Sequence, residues 1–389
     1  MKIINVVLGT YTEGWGYQEN ILPIYQHKLG NDVWIITLDQ AFGTDGKGIT
    51  IEPCEYYSEN GVHIIRLKSS KNKICQVLNW YNIKGLLKRI EPDFIFYHDM
   101  FGFSIWQVIR YIRKYNPACR LVVDNHEDEY NHPYARLSIK GKILYRLNQF
   151  NSRMYMPYID KVYGVTEGRC EFAKKVYGAP TDKTELLLMG VEDEKVRIHQ
   201  RIEIRKQICQ LAGFDAENDF IIISGGKMDQ AKGVLELLDA FKAIKEKMKA
   251  YNIKLLLFGS VADSIRQDFF NKTKSQDIYY MGFLNTQQIY DVFVASDLGV
   301  FPGGHSVLWE QAVGCGLPCL FRRWNGMTHV DVGGNCIFVD DSKMETIQDT
   351  IEKIFMDRTH YEQMRHEAVQ HCMEQFSYFH IAKKSLELT

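Results

Sequence analysis

The chain of 389 residues is long enough for two or three domains, at roughly 150 residues per domain. Hydrophobic residues make up 46% and charged residues 24%, which excludes a disordered, collagen-like or disulfide-stapled chain. The net charge of −1 argues against a strongly basic nucleic-acid-binding protein. Residues 1–190 carry 24 Lys and Arg against 20 Asp and Glu, whereas residues 191–389 carry 23 against 28. Two domains of opposite charge are therefore predicted.

Cysteine usage and apolar content indicate the compartment. The nine cysteines include no C-x-x-C pair, which favours reduced thiols and argues against a zinc site. The N-terminal apolar run is too short for a signal peptide, and no stretch approaches the ~20 apolar residues that span a bilayer. We therefore expect a cytoplasmic protein that does not cross a membrane.

Short apolar runs alternate with amphipathic stretches along the whole chain. Runs such as 220–224 and 254–258 are continuous, which is typical of parallel strands covered on both faces. The predicted strands, in chain order, are 3–8, 33–38, 62–67, 93–97, 120–124, 161–166, 185–189, 220–224, 254–258, 278–281, 298–301, 318–322 and 336–339. This alternation predicts an α/β fold with two doubly wound domains, joined near the polar segment 190–200.

A glycine- and lysine-containing segment follows the predicted strand 220–224. Gly225 and Gly226 favour a tight turn, Lys227 and Lys232 bracket a loop, and a helix is predicted to begin near Val234. Such a loop before a helix is typical of a diphosphate site. Solvated surface lysines are the alternative for this segment taken alone.

A second segment of small residues follows the predicted strand 298–301. Gly303 and Gly304 let a ligand approach the backbone, and a helix predicted from Ser306 offers unpaired N–H groups near His305. Glu310, one turn into this helix, is placed to accept hydrogen bonds from vicinal hydroxyls such as those of a ribose.

The two segments together resemble the donor-site signatures of family 4 (group 1) glycosyltransferases. In the first segment, GGKMDQAKG, Lys232 stands at the family's lysine and Lys227 stands where the family usually has an arginine. In the second segment, Glu310 matches the glutamate that binds the ribose in the family, and the following run QAVGCGLP matches the end of the family's second motif. The resemblance implies a GT-B fold, with two Rossmann-like doubly wound domains facing across a cleft. It also implies a nucleotide-sugar donor, retention of anomeric configuration, and no metal or other cofactor.

One position departs from the family pattern. The family's first glutamate, which contacts the transferred sugar, is replaced here by Pro302. Another group must take its role, or activity is weak or absent. The candidate substitutes are His305, Ser306, His329 and Asp331.

The first domain offers further candidates. The resemblance maps His126, after strand 120–124, onto a family histidine that faces the donor sugar. An acidic cluster at a helix N-terminus and a metal site formed by HEDE are the alternatives. His98 and Asp99 form a candidate acid–base pair on the acceptor side, although such a pair is often structural. The loop around Gly16, which includes Gln18, is a candidate to close over the donor phosphates or the acceptor.

Two segments of the first domain contain basic and aromatic residues but no acidic ones. Residues 66–89 carry seven Lys or Arg, and residues 136–153 carry five. Basic amphipathic helices of this kind suit an anionic membrane surface. Helices that simply cover the sheet are the alternative.

These observations predict a glycosyltransferase that moves a sugar, with a UDP-sugar favoured, to a glycan or lipid-linked acceptor in bacterial surface polysaccharide synthesis. Lys227, Lys232 and His126 are the predicted catalytic residues, and Gly225, Gly226, Lys227, Lys232 and Glu310 the predicted nucleotide-binding residues. Gly303, Gly304, His305, Ser306 and Gly16 are predicted to contact the donor sugar and phosphates. The predicted domains are residues 1–193 for the acceptor, 194–370 for the nucleotide-sugar, and a C-terminal helix in 371–389. A non-catalytic partner subunit and a UDP-sugar epimerase are the alternatives.

Overall fold

The computed structural model describes residues 1–43, 47–130, 134 and 137–387. The chain divides into two compact units. Unit 1 comprises Met1–Leu188 and the segment from Ile381 onward, and unit 2 comprises Met189–His380. Arg136 of the predicted basic segment, and Leu388 and Thr389 of the predicted C-terminal helix region, lie outside the described residues. Within the described ranges, no helix is long and apolar enough to cross a membrane.

Unit 1 is built on a mostly parallel sheet with helices between the strands. Its strands are β1 (Lys2–Val7), β2 (Asp32–Leu38), β3 (Gln40–Phe42), β4 (Gly48–Thr50), β5 (Glu55–Tyr57), β6 (His63–Leu67), β7 (Phe94–Tyr97), β8 (Arg120–Asn125), β9 (Lys161–Gly164) and β10 (Thr184–Leu186). Its helices are α1 (Gln18–Lys28), α2 (Lys73–Val77), α3 (Lys84–Ile90), α4 (Ile105–Lys114), α5 (Ile139–Tyr155) and α6 (Glu167–Phe172).

The strand order of unit 1 is β10-β9-β8-β7-β1-β2-β6-β5, and only β5 runs antiparallel to its neighbour in this sheet. Central strands such as β7 are buried along their whole length, because helices cover both faces. The order reverses between β1 and β7, where successive connections leave in opposite directions. Such a reversal opens a crevice at the carboxyl ends of the two strands, where ligands bind in doubly wound sheets.

Unit 2 repeats this architecture with a parallel six-stranded sheet. Its strands are β11 (Phe220–Met228), β12 (Ile253–Val261), β13 (Ile278–Tyr280), β14 (Leu298–Phe301), β15 (Cys319–Arg322) and β16 (Cys336–Val339). Its helices are α7 (Arg201–Ala212), α8 (Val234–Lys247), α9 (Arg266–Lys272), α10 (Thr286–Ala295), α11 (Leu308–Gly314), α12 (Met344–Met356), α13 (Arg358–Glu367) and α14 (Met373–Gln375). A last helix, α15 (Tyr378–Ser385), enters unit 1 from Ile381.

The strand order of unit 2 is β13-β12-β11-β14-β15-β16, which is the order of a Rossmann domain. The reversal lies between β11 and β14, the strands after which the sequence predicts the two donor segments. Apolar residues of α8, such as Leu237 and Phe241, pack on this sheet together with Ile351 of α12. The packed core therefore fixes where both segments emerge.

The predicted parallel strands are all present, which confirms the α/β prediction. The short strands β3, β4 and β5 were not predicted. Each has three residues, and most of these are exposed, so none carries the buried apolar run on which the prediction depends. Strand ends also differ: β11 extends four residues beyond its predicted end, to Met228, and β12 three residues beyond, to Val261, whereas β10 ends early, at Leu186.

All nine cysteines are free thiols. Seven are buried, whereas Cys54 is exposed and Cys75 is partly exposed. Burial raises the pKa of the Cys315 and Cys319 thiols well above its usual value. These buried thiols therefore behave as small apolar core residues.

Candidate functional site

The predicted phosphate loop of unit 2 is partly strand. Gly225, Gly226 and Lys227 belong to β11 and pair with residues of β12, so the prediction of a tight turn at the two glycines is wrong. The glycines serve close packing instead. A Cβ at Gly225 would lie 2.4 Å from the Phe258 ring, and a Cβ at Gly259 would lie 2.0 Å from the carbonyl oxygen of Gly226.

The turn itself comes later, at residues 229–233. Asp229 caps a short 3-10 helix, Gln230–Lys232, and accepts a hydrogen bond from the backbone N–H of Ala231. Gly233 adopts a left-handed conformation with φ +66°, which favours glycine, and α8 begins at Val234 as predicted.

Lys232 joins the two donor segments. Its ammonium group donates to the carbonyl oxygens of Gly304, at 2.6 Å, and His305, at 3.3 Å. Gly303 lies directly against the lysine backbone, since a Cβ there would come within 2.3 Å of the Lys232 Cα. Burial lowers the pKa of Lys232. The two segments, far apart in sequence, thus form one surface at the strand-order reversal of unit 2.

Lys227 does not share this position. Its side chain is 75% exposed and lies 4.0 Å from the carboxylate of Asp229. Lys227 and Lys232 therefore differ in environment, although the sequence predicts that they bracket one loop. One cation is held in place by backbone carbonyls, and the other extends into solvent.

Glu310 lies in α11 and is completely buried. Its Oε1 atom accepts hydrogen bonds from the Nε2 atoms of His305 and His329, each at 2.8 Å. Its Oε2 atom has no hydrogen-bond partner among the described residues. Burial by itself raises the pKa of this carboxyl, but the interactions with the two histidines outweigh burial and hold the pKa well below its usual range.

The four candidates for the missing first glutamate separate in the structure. His305 and His329 meet at Glu310, whereas Asp331 is exposed and accepts a hydrogen bond from the backbone N–H of Gly334 in a turn. Ser306 precedes α11, and its carbonyl accepts from the backbone N–H of Trp309. The two histidines are therefore the candidates that the fold brings to the donor segment.

In unit 1, a second carboxylate also holds two histidines. Asp124, completely buried at the end of β8, accepts from His98 Nδ1 at 2.8 Å and from His126 Nε2 at 3.1 Å on the same oxygen. Its other oxygen accepts from the backbone N–H of Asp99 at 2.7 Å. Burial opposes ionisation of Asp124, but the two histidines hold its pKa well below its usual range. The cluster raises the pKa of His126 to about 9, against the opposing effect of burial.

Asp99 follows β7, at the reversal of the unit 1 sheet. Its φ of +71° is left-handed, a conformation that costs a non-glycine residue about 1 kcal/mol. The hydrogen bond from its N–H to Asp124 holds this conformation. Burial raises the pKa of Asp99 to about 7, while His126 opposes the increase and Glu19 adds to it. A strained carboxyl that titrates near neutrality is typical of functional sites.

The loop between β1 and α1 completes this edge of unit 1. Gly16 lies in it, and Gln18 opens α1. The Gln18 side chain is fully buried, and its amide nitrogen and oxygen have no hydrogen-bond partner among the described residues. Buried polar atoms are nearly always satisfied, so a ligand or water at this edge would supply the missing partners. Gln18 belongs to the loop that the sequence marks as a candidate, whereas no spacing motif marks Asp124.

Both carboxylate–histidine clusters offer atoms that a divalent cation accepts. The unit 1 cluster consists of His98, Asp124 and His126, and the unit 2 cluster consists of His305, Glu310 and His329. Within each cluster, every residue offers one nitrogen or carboxylate oxygen, and these three atoms lie within 4.8 Å of one another. The distances of 2.8 to 3.1 Å between nitrogen and oxygen are those of hydrogen bonds. In each cluster, one carboxylate oxygen therefore accepts hydrogen bonds from both histidines.

Part of unit 2 and the fold of the whole chain are similar to known proteins. Residues 212–371 match the family model described as glycosyl transferases group 1. The fold is similar to sucrose-phosphate synthase from Thermosynechococcus elongatus, with a TM-score of 0.73 and 14% identity over 99% of this chain and 97% of that chain. A glycosyltransferase from Rickettsia africae ESF-5 is similar with a TM-score of 0.71 and 15% identity, over 100% and 97% of the two chains.

A third similar structure is that of HepE from Anabaena in complex with UDP and glucose, with a TM-score of 0.67 and 12% identity over 99% and 98% of the two chains. No curated protein sequence matches the chain. The solved structures establish the fold, and the family match covers most of unit 2, including both donor segments. The chain therefore has the GT-B fold, and the match across its second unit identifies it as a glycosyltransferase.

Proposed function

We propose that unit 2 binds a nucleoside diphosphate sugar, with a UDP-sugar favoured, and that the enzyme transfers the sugar with retention of configuration. The observation that carries this proposal is the bond network of Lys232, which joins the two donor segments where the strand order reverses. HepE, a similar structure, is in complex with UDP and glucose. Glu310 is proposed to hold the ribose and thereby to fix the donor.

The proposed catalytic contribution of unit 2 is electrostatic. As the bond to the sugar breaks, negative charge grows on the departing diphosphate. The ammonium groups of Lys232 and Lys227, with backbone N–H groups near His305 and Ser306, are proposed to stabilise that charge. Preorganised donors of this kind typically contribute ~10²-fold in rate each. The low exposure of Lys232 strengthens its effect, because water screens a buried charge less.

The test is turnover and nucleotide binding by a Lys232→Ala variant. We expect this variant to lose turnover by ~10²-fold or more while it keeps its fold. Lys206→Ala, at an exposed position of α7, is the matched control and should keep native turnover. Full activity of Lys232→Ala with UDP-sugars would contradict the proposed donor site.

On the acceptor side, we propose that unit 1 binds the hydroxyl to be glycosylated near Asp99. His98, the other candidate, is buried and engaged with Asp124 and Asn5, which favours a positioning role for it. His126 is proposed to face the donor sugar, and Gly16 to lie near its phosphates. The unsatisfied amide of Gln18 supports a ligand at this edge.

The proposed acceptor is a glycan or lipid-linked sugar in bacterial surface polysaccharide synthesis, and the proposed compartment is the cytoplasm. The free thiols support a reducing environment. The reaction is proposed to need no metal, so a chelator should leave turnover unchanged. A non-catalytic partner subunit, which Pro302 favours, predicts no turnover and no donor hydrolysis. A UDP-sugar epimerase predicts a converted donor without any acceptor, so product analysis separates the three.

A further inference from the structure

Helix α5 carries a continuous apolar stripe that the protein leaves exposed. Successive residues of a helix rotate by about 100°, so positions 139, 143, 147, 150 and 154 fall within an arc of about 80°. The side chains at these positions are exposed: Ile139 80%, Ile143 65%, Leu147 38%, Phe150 65% and Met154 52%. The opposite side of the helix packs on unit 1 through Ser152 and Tyr155. The stripe is therefore a surface feature and not part of the core.

Basic residues flank this stripe. On the same helical projection, Lys142, Arg146 and Arg153 lie along one side and Lys140 lies along the other. The segment 137–155 contains no acidic residue. None of these four cations forms an ion pair with a residue that the structure describes. Four cations beside an apolar stripe, without internal counter-charges, are complementary to an anionic surface.

A second exposed apolar patch lies in the other acid-free segment of unit 1. In and just after α2, Ile74, Val77 and Trp80 are 67%, 56% and 43% exposed. The two segments that carry these patches each form a hydrogen bond with one loop. The Phe103 N–H donates to the Leu78 carbonyl at 2.9 Å, and the Asn151 amide of α5 donates to the Gly102 carbonyl at 2.9 Å.

The two acid-free segments of the sequence thus hydrogen-bond to the same loop of unit 1. We call them together the basic–apolar face, defined by residues 73–80 and 139–154. We infer that the basic–apolar face docks on the surface of an anionic lipid bilayer, with the α5 stripe inserted at the level of the headgroups. Helices with an apolar stripe and basic flanks lie in the interfacial plane of membranes in this way. A docked face brings unit 1 to the bilayer surface, where a lipid-linked acceptor is found. Only this role of docking, access to a lipid-linked acceptor, rests on the proposed function. Docking itself needs neither donor nor turnover.

The test is flotation of the full-length protein with vesicles, without nucleotide. Vesicles of phosphatidylcholine with about one third phosphatidylglycerol are compared with vesicles of phosphatidylcholine alone. We expect binding to the anionic vesicles at least tenfold tighter, and we expect it to weaken as salt rises from about 0.05 to 0.5 M. The stripe variant Ile143→Glu with Phe150→Glu should lose binding at least tenfold. Lys140→Gln with Arg146→Gln should weaken it by about fivefold per residue.

Matched controls come from unit 2. Ile202 and Leu211 of α7 are 74% and 60% exposed, so their double change to Glu alters charge and apolarity as the stripe variant does. Lys206→Gln with Lys249→Gln removes two exposed cations elsewhere. Both controls should bind anionic vesicles as the native protein does. Thermal melting of every variant establishes that the fold is kept.

Three results would overturn the inference: native binding by the stripe variant, equal binding to neutral vesicles, or no vesicle binding at all. If sedimentation instead shows a dimer that the stripe variant abolishes, a second copy of the chain covers the face. Calorimetry with UDP separates this inference from the proposed function. The stripe variant should bind UDP as the native protein does, whatever the result with vesicles.

Discussion

His329 and His305 donate to the same oxygen of Glu310, each at 2.8 Å. Two donors on one carboxylate oxygen fix the rotation of the side chain and leave the other oxygen, Oε2, buried and without a hydrogen-bond partner among the described residues. His305 is a large residue in a loop whose neighbouring residues are small. The two histidines therefore hold the Glu310 side chain in one orientation within the donor segment.

Removal of His329 should destabilise the protein and weaken nucleotide binding together. His329→Ala leaves a buried carboxylate with one partner fewer, and we expect the free energy of unfolding to fall by about 2 kcal/mol. UDP affinity, measured by calorimetry, should fall in parallel, and His329→Gln should restore part of both. His360→Ala, an exposed histidine of α13, should change neither. A His329→Ala protein with native stability would show that the pair does not support Glu310.

Gly303 and Gly304 should respond very differently to the same change. A Cβ at Gly303 would lie 2.3 Å from Lys232 Cα, whereas the nearest atom to a Cβ at Gly304 is Lys232 Nζ at 4.0 Å. We expect Gly303→Ala to separate the donor segments and to abolish UDP binding with a loss of about 2 kcal/mol or more in stability. Gly304→Ala should be within about 0.5 kcal/mol of native. Denaturant titration and calorimetry measure both, and equal effects would contradict the packing argument.

Turnover should depend on the ionisation of Asp99. Its pKa is raised to about 7 by burial, so the carboxylate that accepts a proton is present only above that pH. The charges that face it are those of His126, Asp124, Glu127 and Glu19. We expect the rate to rise with pH through about 7, and Asp99→Asn to abolish this dependence while UDP binding stays native. An unchanged pH–rate profile in Asp99→Asn would remove Asp99 from the reaction.

The backbone of Asp99 offers an independent test. Because φ is +71°, Asp99→Gly relieves strain that Asp99→Ala retains. We expect the glycine variant to be more stable than the alanine variant by about 1 kcal/mol, with turnover lost in both. Equal stability of the two variants in denaturant titrations would mean that this position is not strained.

The stability of the protein should fall above neutral pH because of His126. Its pKa in the folded protein is raised to about 9 by Asp124, from an ordinary value of about 6.5. This histidine therefore contributes stability that is fully present below pH about 6.5 and is lost as pH rises through about 9, up to about 3 kcal/mol. His126→Asn should flatten the dependence of the unfolding free energy over this window. An identical pH profile in the variant would contradict the ion pair.

The sequence predicted the sheets well because parallel strands buried on both faces leave continuous apolar runs. It could not predict that Gly225 and Gly226 continue β11, since a glycine required for a turn and one required for close packing look identical in a sequence. It identified His305 and His329 as candidates, but their meeting at Glu310 depends on side-chain packing. Asp99 shows the same limit, because the hydrogen bond that holds its left-handed backbone goes to Asp124, whose position only the fold determines.

The distribution of thiols has a practical consequence for following this enzyme at work. Seven cysteines are buried in the core, and Cys54 is exposed. Cys75 is partly exposed and lies within α2, inside the basic–apolar face. In a Cys54→Ser background, a maleimide dye would therefore attach at a single natural position. Its emission would change as the dye leaves water for a less polar medium, so Cys75 is a natural attachment point for a reporter of docking.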